Sequence, residues 1–339
     1  MENNTRNLDA PKDNHLMYKG ISVIICTYNG AKRLPDTIKH LALQSAVSKI
    51  NFEIIVVDNA STDTSASIAT EEWNKYNISG VSLRIIYQSK PGKIHALEKG
   101  IEEAKFEYVI ICDDDNWLAT EYLEKVYAVL DNDPKIGAVG GTGIPVAETG
   151  DIPDWFYEFE EGYACGKQGF SSSDVSLRGH LWGAGLGTRK LHYQQMYKNF
   201  PSFLTGRHGD QLTAGEDAEY CQRLILKGYT LYYSEELLFH HFMPNARLSL
   251  AYKEKLFAGF NESNKVLNKY YLCNQIINKC KKNKLERPRL LITSFFRMLF
   301  ARSLQDRKKQ MDIFVFLFPF SIKPDSIISK IKKFHAANT

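Results

Sequence analysis

Three short apolar runs, each nearly continuous and each ending abruptly in polar residues, constrain this chain more than anything else in it. They are Ile21-Ser22-Val23-Ile24-Ile25-Cys26, Ile54-Ile55-Val56-Val57 and Tyr108-Val109-Ile110-Ile111-Cys112. Rich in β-branched residues and not alternating, they read as strands buried on both faces, the pattern of a parallel sheet. A fourth run, Leu83-Arg84-Ile85-Ile86-Tyr87, lies among them, and segments with helical spacing (about 34–44, 64–76 and 93–104) separate them. Alternating β and α elements of this kind predict a doubly wound, mostly parallel α/β sheet with helices on both faces.

The strand ends carry the chemistry. Cys26 passes into Thr27-Tyr28-Asn29-Gly30, Val57 into Asp58-Asn59-Ala60-Ser61, and Cys112 into Asp113-Asp114-Asp115-Asn116. Ligands of open α/β sheets bind beyond the carboxyl ends of the strands, so the three polar ends are expected to share one rim. Three adjacent carboxylates repel one another. A hard divalent cation such as Mg²⁺ or Mn²⁺ would relieve that and leave positions open for phosphate oxygens; an acidic turn or helix cap is the plainer alternative. Asp58 either accepts hydrogen bonds from a base or ribose or caps the following helix. Lys90 and Lys93 flank Pro91-Gly92 before a helix, a setting suited to a diphosphate. Glu216-Asp217 opens another helical stretch, closed by Gly228; one carboxylate can cap it while the other serves as a general base. His240-His241 ends the run Leu237-Leu238-Phe239, and an imidazole there is a candidate ligand for the same metal.

Taken together these segments resemble the family 2 glycosyltransferases, the inverting group with the GT-A fold, of the bacterial surface-polysaccharide type. The resemblance starts at Ile21–Asn29 and continues through Ile54–Asp63, Lys93–Gly100, Asp113–Asp115, Trp182-Gly183-Ala184-Gly185 and Gly215–Tyr220, covering roughly residues 20–260. It implies that Cys26, Thr27, Tyr28 and Asn29 line the nucleotide pocket, and that Asp58, Lys90, Lys93, Asp113 and Asp114 also contact the nucleotide-sugar. Asp113 and Asp115 match a D-x-D metal motif, and His241, in His241-Phe242-Met243-Pro244-Asn245-Ala246-Arg247, is the implied third ligand. Trp182, Gly183, Ala184 and Gly185 fall on the acceptor side. Asp217, beside Glu216, matches the catalytic base. The implied reaction moves one sugar from a nucleoside-diphosphate sugar, UDP-linked by default, to a hydroxyl of a glycan or lipid-linked acceptor, with inversion. No Q-x-x-R-W motif of processive synthases occurs.

At 339 residues the chain accommodates a catalytic domain over 20–248, split into a nucleotide-sugar half (20–141) and an acceptor half (142–248). Residues 1–19 are polar and expected to be disordered; 249–339 is expected to be a basic, amphipathic helical extension. From Lys279 onward there are 15 Lys and Arg against 4 Asp and Glu, although the whole chain carries only +4. Such a tail suits an anionic membrane surface, or else packs on the core or on a second copy. The polar start, the absence of an apolar span of roughly 18 residues and six scattered cysteines point to a cytoplasmic enzyme, peripheral at the inner face of the plasma membrane at most. Two other readings lack their signatures. A sugar-phosphate nucleotidyltransferase would carry a glycine-rich basic loop after the first strand, and a binding protein without transfer activity would not need Glu216-Asp217. No motif points to nucleic acid.

Overall fold

The computed structural model describes residues 18–204 and 214–337. The segment 1–19 therefore lies outside the described residues, except for Tyr18 and Lys19, which open the first strand.

The first third builds as its pattern dictates: β1 (Tyr18–Thr27), α1 (Leu34–Ala42), β2 (Phe52–Asp58), α2 (Ser65–Asn74), β3 (Ser82–Tyr87), α3 (Lys93–Glu103) and β4 (Phe106–Asp113). β1 pairs in parallel with both β2 and β4, and β2 pairs in parallel with β3. The register sets Thr27 opposite Asp58 and Cys26 opposite Asp113, so the polar ends of the three strands lie level on one rim.

The chain continues through β5 (Asn116–Leu118), α4 (Tyr122–Asn132), β6 (Ile136–Ala147), α5 (Asp154–Phe159), β7 (Ser173–Asp174), β8 (Leu186–Arg189), α6 (Lys190–Tyr197), α7 (Glu216–Lys227) and β9 (Thr230–Met243). It ends in the helices α8 (Leu250–Lys282), α9 (Glu286–Leu299), α10 (Leu304–Leu317) and α11 (Ile327–Ala336). The strand order is β3-β2-β1-β4-β8-β6-β9-β5, with β7 on β9. Beyond β4 the sheet turns mixed: β8 is antiparallel to both β4 and β6, β5 and β7 are antiparallel to β9, and β6 runs parallel to β9.

Helices cover both faces. Ile21, Val23 and Ile25 of β1 pack with α1, α2 and α4, whereas Ile24 points the other way into a core shared with α3, α6, α7 and α8. The second core also takes in Val315, Phe316 and Leu317 of α10 and Ile328, Ile331 and Phe334 of α11, so much of the C-terminal extension folds back onto the catalytic layer.

Two stretches differ from their sequence reading. Residues from 137 onward look irregular because glycines interrupt them, yet β6 is a twelve-residue strand. Its glycines serve close approach: a Cβ on Gly141 would lie 1.9 Å from the Leu237 carbonyl oxygen of β9. The run from Leu237 to His241 is not a separate element: it lies inside one fourteen-residue strand, β9.

Candidate active site

A cavity of about 930 Å³ opens where the polar strand ends meet the N-terminus of α7 and one face of α8. Cys26, Thr27 and Tyr28 line it from β1, and Lys93 lines it from the start of α3. Asp113, Asp114 and Asp115 form its floor; Trp182, Gly183, Ala184, Glu216, Asp217 and His241 complete the far wall. Four residues assigned to the site from sequence do not line it. Asn29 joins loops instead, its Oδ1 accepting from the Thr62 amide at 2.8 Å. Asp58 is buried and accepts from the Ser61 amide at 3.0 Å. Lys90 is exposed. Gly185, at φ 71°, makes a turn whose carbonyl accepts from the Tyr122 hydroxyl. Asn29 and Ala60, at the ends of β1 and β2, hold φ of 50° and 60°; strain of this kind gathers where backbone must be aimed at a ligand.

Each carboxylate of the triad has its own cation. Lys93 pairs with Asp113. Arg33 grips Asp114 with two hydrogen bonds of 2.8 Å, and Thr27 Oγ1 donates to the same carboxylate at 2.6 Å. Arg247 donates to Asp115 Oδ2 at 2.7 Å. Burial pushes Asp114 above the usual carboxylate range even against the opposing pull of Arg33. Burial acts the same way on Asp115, but there the opposing charge, that of Arg247 first, outweighs it and holds the carboxyl well below that range. For Lys93, desolvation is outweighed by Asp113 and Glu216, and the ammonium is raised. Arg33, Arg247 and Asn59 were not picked out as site residues from the sequence. Asn59 donates to the Gln88 and Lys90 carbonyls and accepts from the Gly92 amide, tying β2 to the loop before α3. Arg247 closes the stretch from His241 to Arg247 on which the family resemblance drew, and that was the available signal; nothing local marks Arg33.

His241 faces Asp115 because β5 and β9 pair with Asn116 opposite His241. Its Nδ1 meets the Tyr163 carbonyl at 2.8 Å and must be the donor there, since a carbonyl only accepts. In the neutral ring Nε2 then carries a lone pair. That buried nitrogen has no hydrogen-bond partner and lies 3.4 Å from Asp115 Oδ1. A bare imidazole nitrogen facing a carboxylate oxygen fits a divalent cation. Among the described residues no three of His, Cys, Asp and Glu converge on one point, so Asp115 and His241 fit as a two-ligand edge and Asp113 stays on Lys93.

Asp217 is fixed from two sides. Its Oδ2 accepts from the Gly183 amide at 2.8 Å, and its Oδ1 accepts from the Ala218 amide at 2.7 Å. Behind it, buried Glu219 and Arg223 of α7 pair at 2.8 Å, and the Tyr270 hydroxyl of α8 donates to Glu219 at 2.8 Å. Toward α8 the wall turns aromatic, with Tyr163, Trp182, Tyr252, Phe257, Phe260 and Tyr271.

Comparison with known proteins agrees with this geometry. The model of Glycosyl transferase family 2 matches residues 22–169, and that of Glycosyl transferase family group 2 matches residues 108–323. The chain belongs to this glycosyltransferase family. It is 37% identical over 107 residues to the cholesterol galactosyltransferase of Borreliella burgdorferi, covering 32% of this chain and 28% of the relative. It is 32% identical over 130 residues to the poly(ribitol-phosphate) β-N-acetylglucosaminyltransferase TarS of Staphylococcus aureus, covering 37% and 22%. With the poly-β-1,6-N-acetyl-D-glucosamine synthase of Staphylococcus epidermidis it shares 29% identity over 130 residues, covering 38% and 30%. The matches thus span less than a third of these relatives' own lengths. Among solved structures, S. aureus TarS 1–349 in complex with UDP aligns over 94% of this chain and 87% of that one, with a TM-score of 0.51 and 15% identity. The same fragment with UDP-GlcNAc aligns over 94% and 91%, also at 0.51, with 16% identity. At that identity the likeness shows the fold, and it is the GT-A architecture expected from the sequence.

Proposed function

We propose that this chain transfers one sugar from a nucleoside-diphosphate sugar, UDP-linked as in the TarS complexes, to a hydroxyl of a glycan or lipid-linked acceptor in bacterial polysaccharide synthesis. The observation that carries this reading is the placement of Asp217, held by two backbone amides, in one cavity with the Asp113–Asp115 floor. Asp217 takes the proton of the acceptor hydroxyl. The acceptor oxygen forms a bond to the anomeric carbon as the bond from that carbon to the phosphate oxygen breaks, and the electron pair leaves with the nucleoside diphosphate. Attack from the face opposite the leaving group inverts the centre. The Gly183 and Ala218 amides hold the carboxylate toward the acceptor, and Lys93 supplies positive charge next to the departing diphosphate.

Asp115 and His241 would hold a divalent cation, Mn²⁺ or Mg²⁺, which when bound supplies positive charge against the diphosphate. Thr27, Tyr28 and Cys26 form the nucleotide wall, Asp58 and Asn29 support it from behind, and Trp182, Gly183 and Ala184 present the acceptor.

The test is Asp217→Asn. The variant is expected to bind the nucleoside-diphosphate sugar as the parent does and to lose transfer by roughly 10²–10⁴-fold, the range for removing a general base. Transfer at near the parent rate would remove Asp217 from its role.

A further inference from the structure

The C-terminal helices do not use their apolar residues alike. α11 buries Ile328, Ile331 and Phe334. The end of α10 buries Val315, Phe316 and Leu317. α9 behaves differently. Its inner side, with Ser294 buried and Leu290 and Leu291 half-buried, packs on the core. Its outer side is apolar as well. Leu285, Ile292, Phe296 and Leu299 recur at helical spacing, and the last three are 57, 53 and 51% exposed. Phe295 flanks this stripe, and Phe300 and Leu304, 79 and 69% exposed, extend it into the turn before α10. Apolar side chains on two sides of a helix each call for an apolar environment, and here the outer side has none.

Cations surround the stripe. Between residues 281 and 309 stand ten Lys and Arg against two acidic residues, and all ten are exposed. Arg287, Arg289, Arg297 and Arg302 alternate along the chain with the exposed apolar side chains. None of the described helices is long and apolar enough to cross a bilayer.

We propose that α9 and the α9–α10 turn form a docking surface for an anionic lipid bilayer, the stripe entering the headgroup–acyl boundary while the cations meet lipid phosphates. The charge decides the occupant. A two-fold contact with a second copy would set the same cations against themselves, whereas an anionic surface compensates them and the apolar stripe together. The lipid-linked class of acceptor then follows, a consequence that rests on the transfer reading. The surface itself does not.

The experiment is vesicle flotation of the full chain with phosphatidylglycerol–phosphatidylcholine vesicles, phosphatidylcholine vesicles, and none. The comparison variant carries Ile292→Ser, Phe296→Ser and Phe300→Ser, all outward-facing, and its fold is checked by circular dichroism and by binding of UDP. The parent is expected to float with the anionic vesicles, less so at high salt, and to stay behind with phosphatidylcholine alone. The triple variant should lose about tenfold or more of that binding while retaining UDP binding. A parent that does not float, or a triple variant that floats equally, overturns the proposal. So does a concentration-dependent dimer in sedimentation that the triple substitution abolishes, because a second copy would then cover the stripe. Flotation does not involve Asp217, so an Asp217→Asn variant that transfers at the parent rate would overturn the transfer reading alone, and the two readings fail separately.

Discussion

Arg247 and Asp115 lie 132 residues apart in the sequence, and the guanidinium donates to the carboxylate at 2.7 Å in the floor of the cavity. Asp115 Oδ1, on its other side, faces the bare Nε2 of His241 at 3.4 Å. Arg247 thus supplies Asp115 with the positive charge that a divalent cation would otherwise bring, and the two must compete for that carboxylate.

Arg247→Gln is therefore expected to destabilise the metal-free protein by roughly 2–3 kcal/mol, somewhat under the cost of breaking a fully buried pair because the arginine is partly exposed. Mn²⁺ should raise the Tm of the variant more than that of the parent. Thermal melts with EDTA and with Mn²⁺ check this; equal shifts would show that Arg247 and the cation do not compete.

The same pair sets a pH dependence. The folded state holds the Asp115 carboxyl below its ordinary range, chiefly because the Arg247 guanidinium overcomes the effect of burial. Its stabilisation is thus fully present above the unfolded value of about 3.9 and is lost as pH falls toward the lower folded value. Denaturation of the parent and of Asp115→Asn, both in EDTA, should show a gap at pH 7 that narrows below about pH 4. Asp114, raised by burial, works in the opposite sense, its penalty easing as pH falls. A gap that widens toward acid would contradict the assignment.

Much of the first half was legible because buried parallel strands announce themselves. The runs at 21–26, 54–57 and 108–112 became β1, β2 and β4, and their register gathers Thr27, Asp58 and Asp113 on one rim. β6 was hidden because its glycines, needed where Gly141 meets the Leu237 carbonyl, read as loop. Asp217, in the first turn of α7, could be picked out from motif, and it lines the cavity. The arginines could not be, since pairing Arg33 with Asp114 across 81 residues depends on how α1 leaves β1. The tail's composition showed its charge but not that α11 turns inward while α9 keeps an apolar outer side. Periodicity gives a face, not what that face packs against.

Gly30 carries a steric requirement that no motif states. A Cβ there would lie 2.1 Å from Thr27 Oγ1 and 2.4 Å from Asp114 Oδ2, and Arg33 prevents that carboxylate from moving freely. Gly30→Ala is expected to cost about 1–3 kcal/mol by overpacking and to weaken nucleotide binding, measured by urea denaturation and calorimetry on the same preparation. A variant with parent stability and affinity would show that Asp114 can shift.

Arg223 and Glu219 are fully buried and tie α7 to the stretch before it, through the Met196 and Pro201 carbonyls and the Phe203 amide, and to α8 through Tyr270. Arg223→Met leaves Glu219 as an uncompensated buried carboxylate and should cost roughly 3–5 kcal/mol. Glu219→Gln combined with Arg223→Met should recover part of that loss. Chemical denaturation of the two variants decides it, and a double variant no more stable than the single one would rule out charge as the cause.

The most direct test of the site is calorimetric titration of the full chain with UDP-sugars and other nucleoside-diphosphate sugars, with Mn²⁺ and with EDTA, alongside Asp115→Asn. A nucleoside-diphosphate sugar is expected to bind the parent more tightly with Mn²⁺ than without it, and Asp115→Asn is expected to lose that gain. Binding of no activated sugar, or equal binding with and without the cation in parent and variant alike, would contradict a cation-assisted diphosphate site at Asp115.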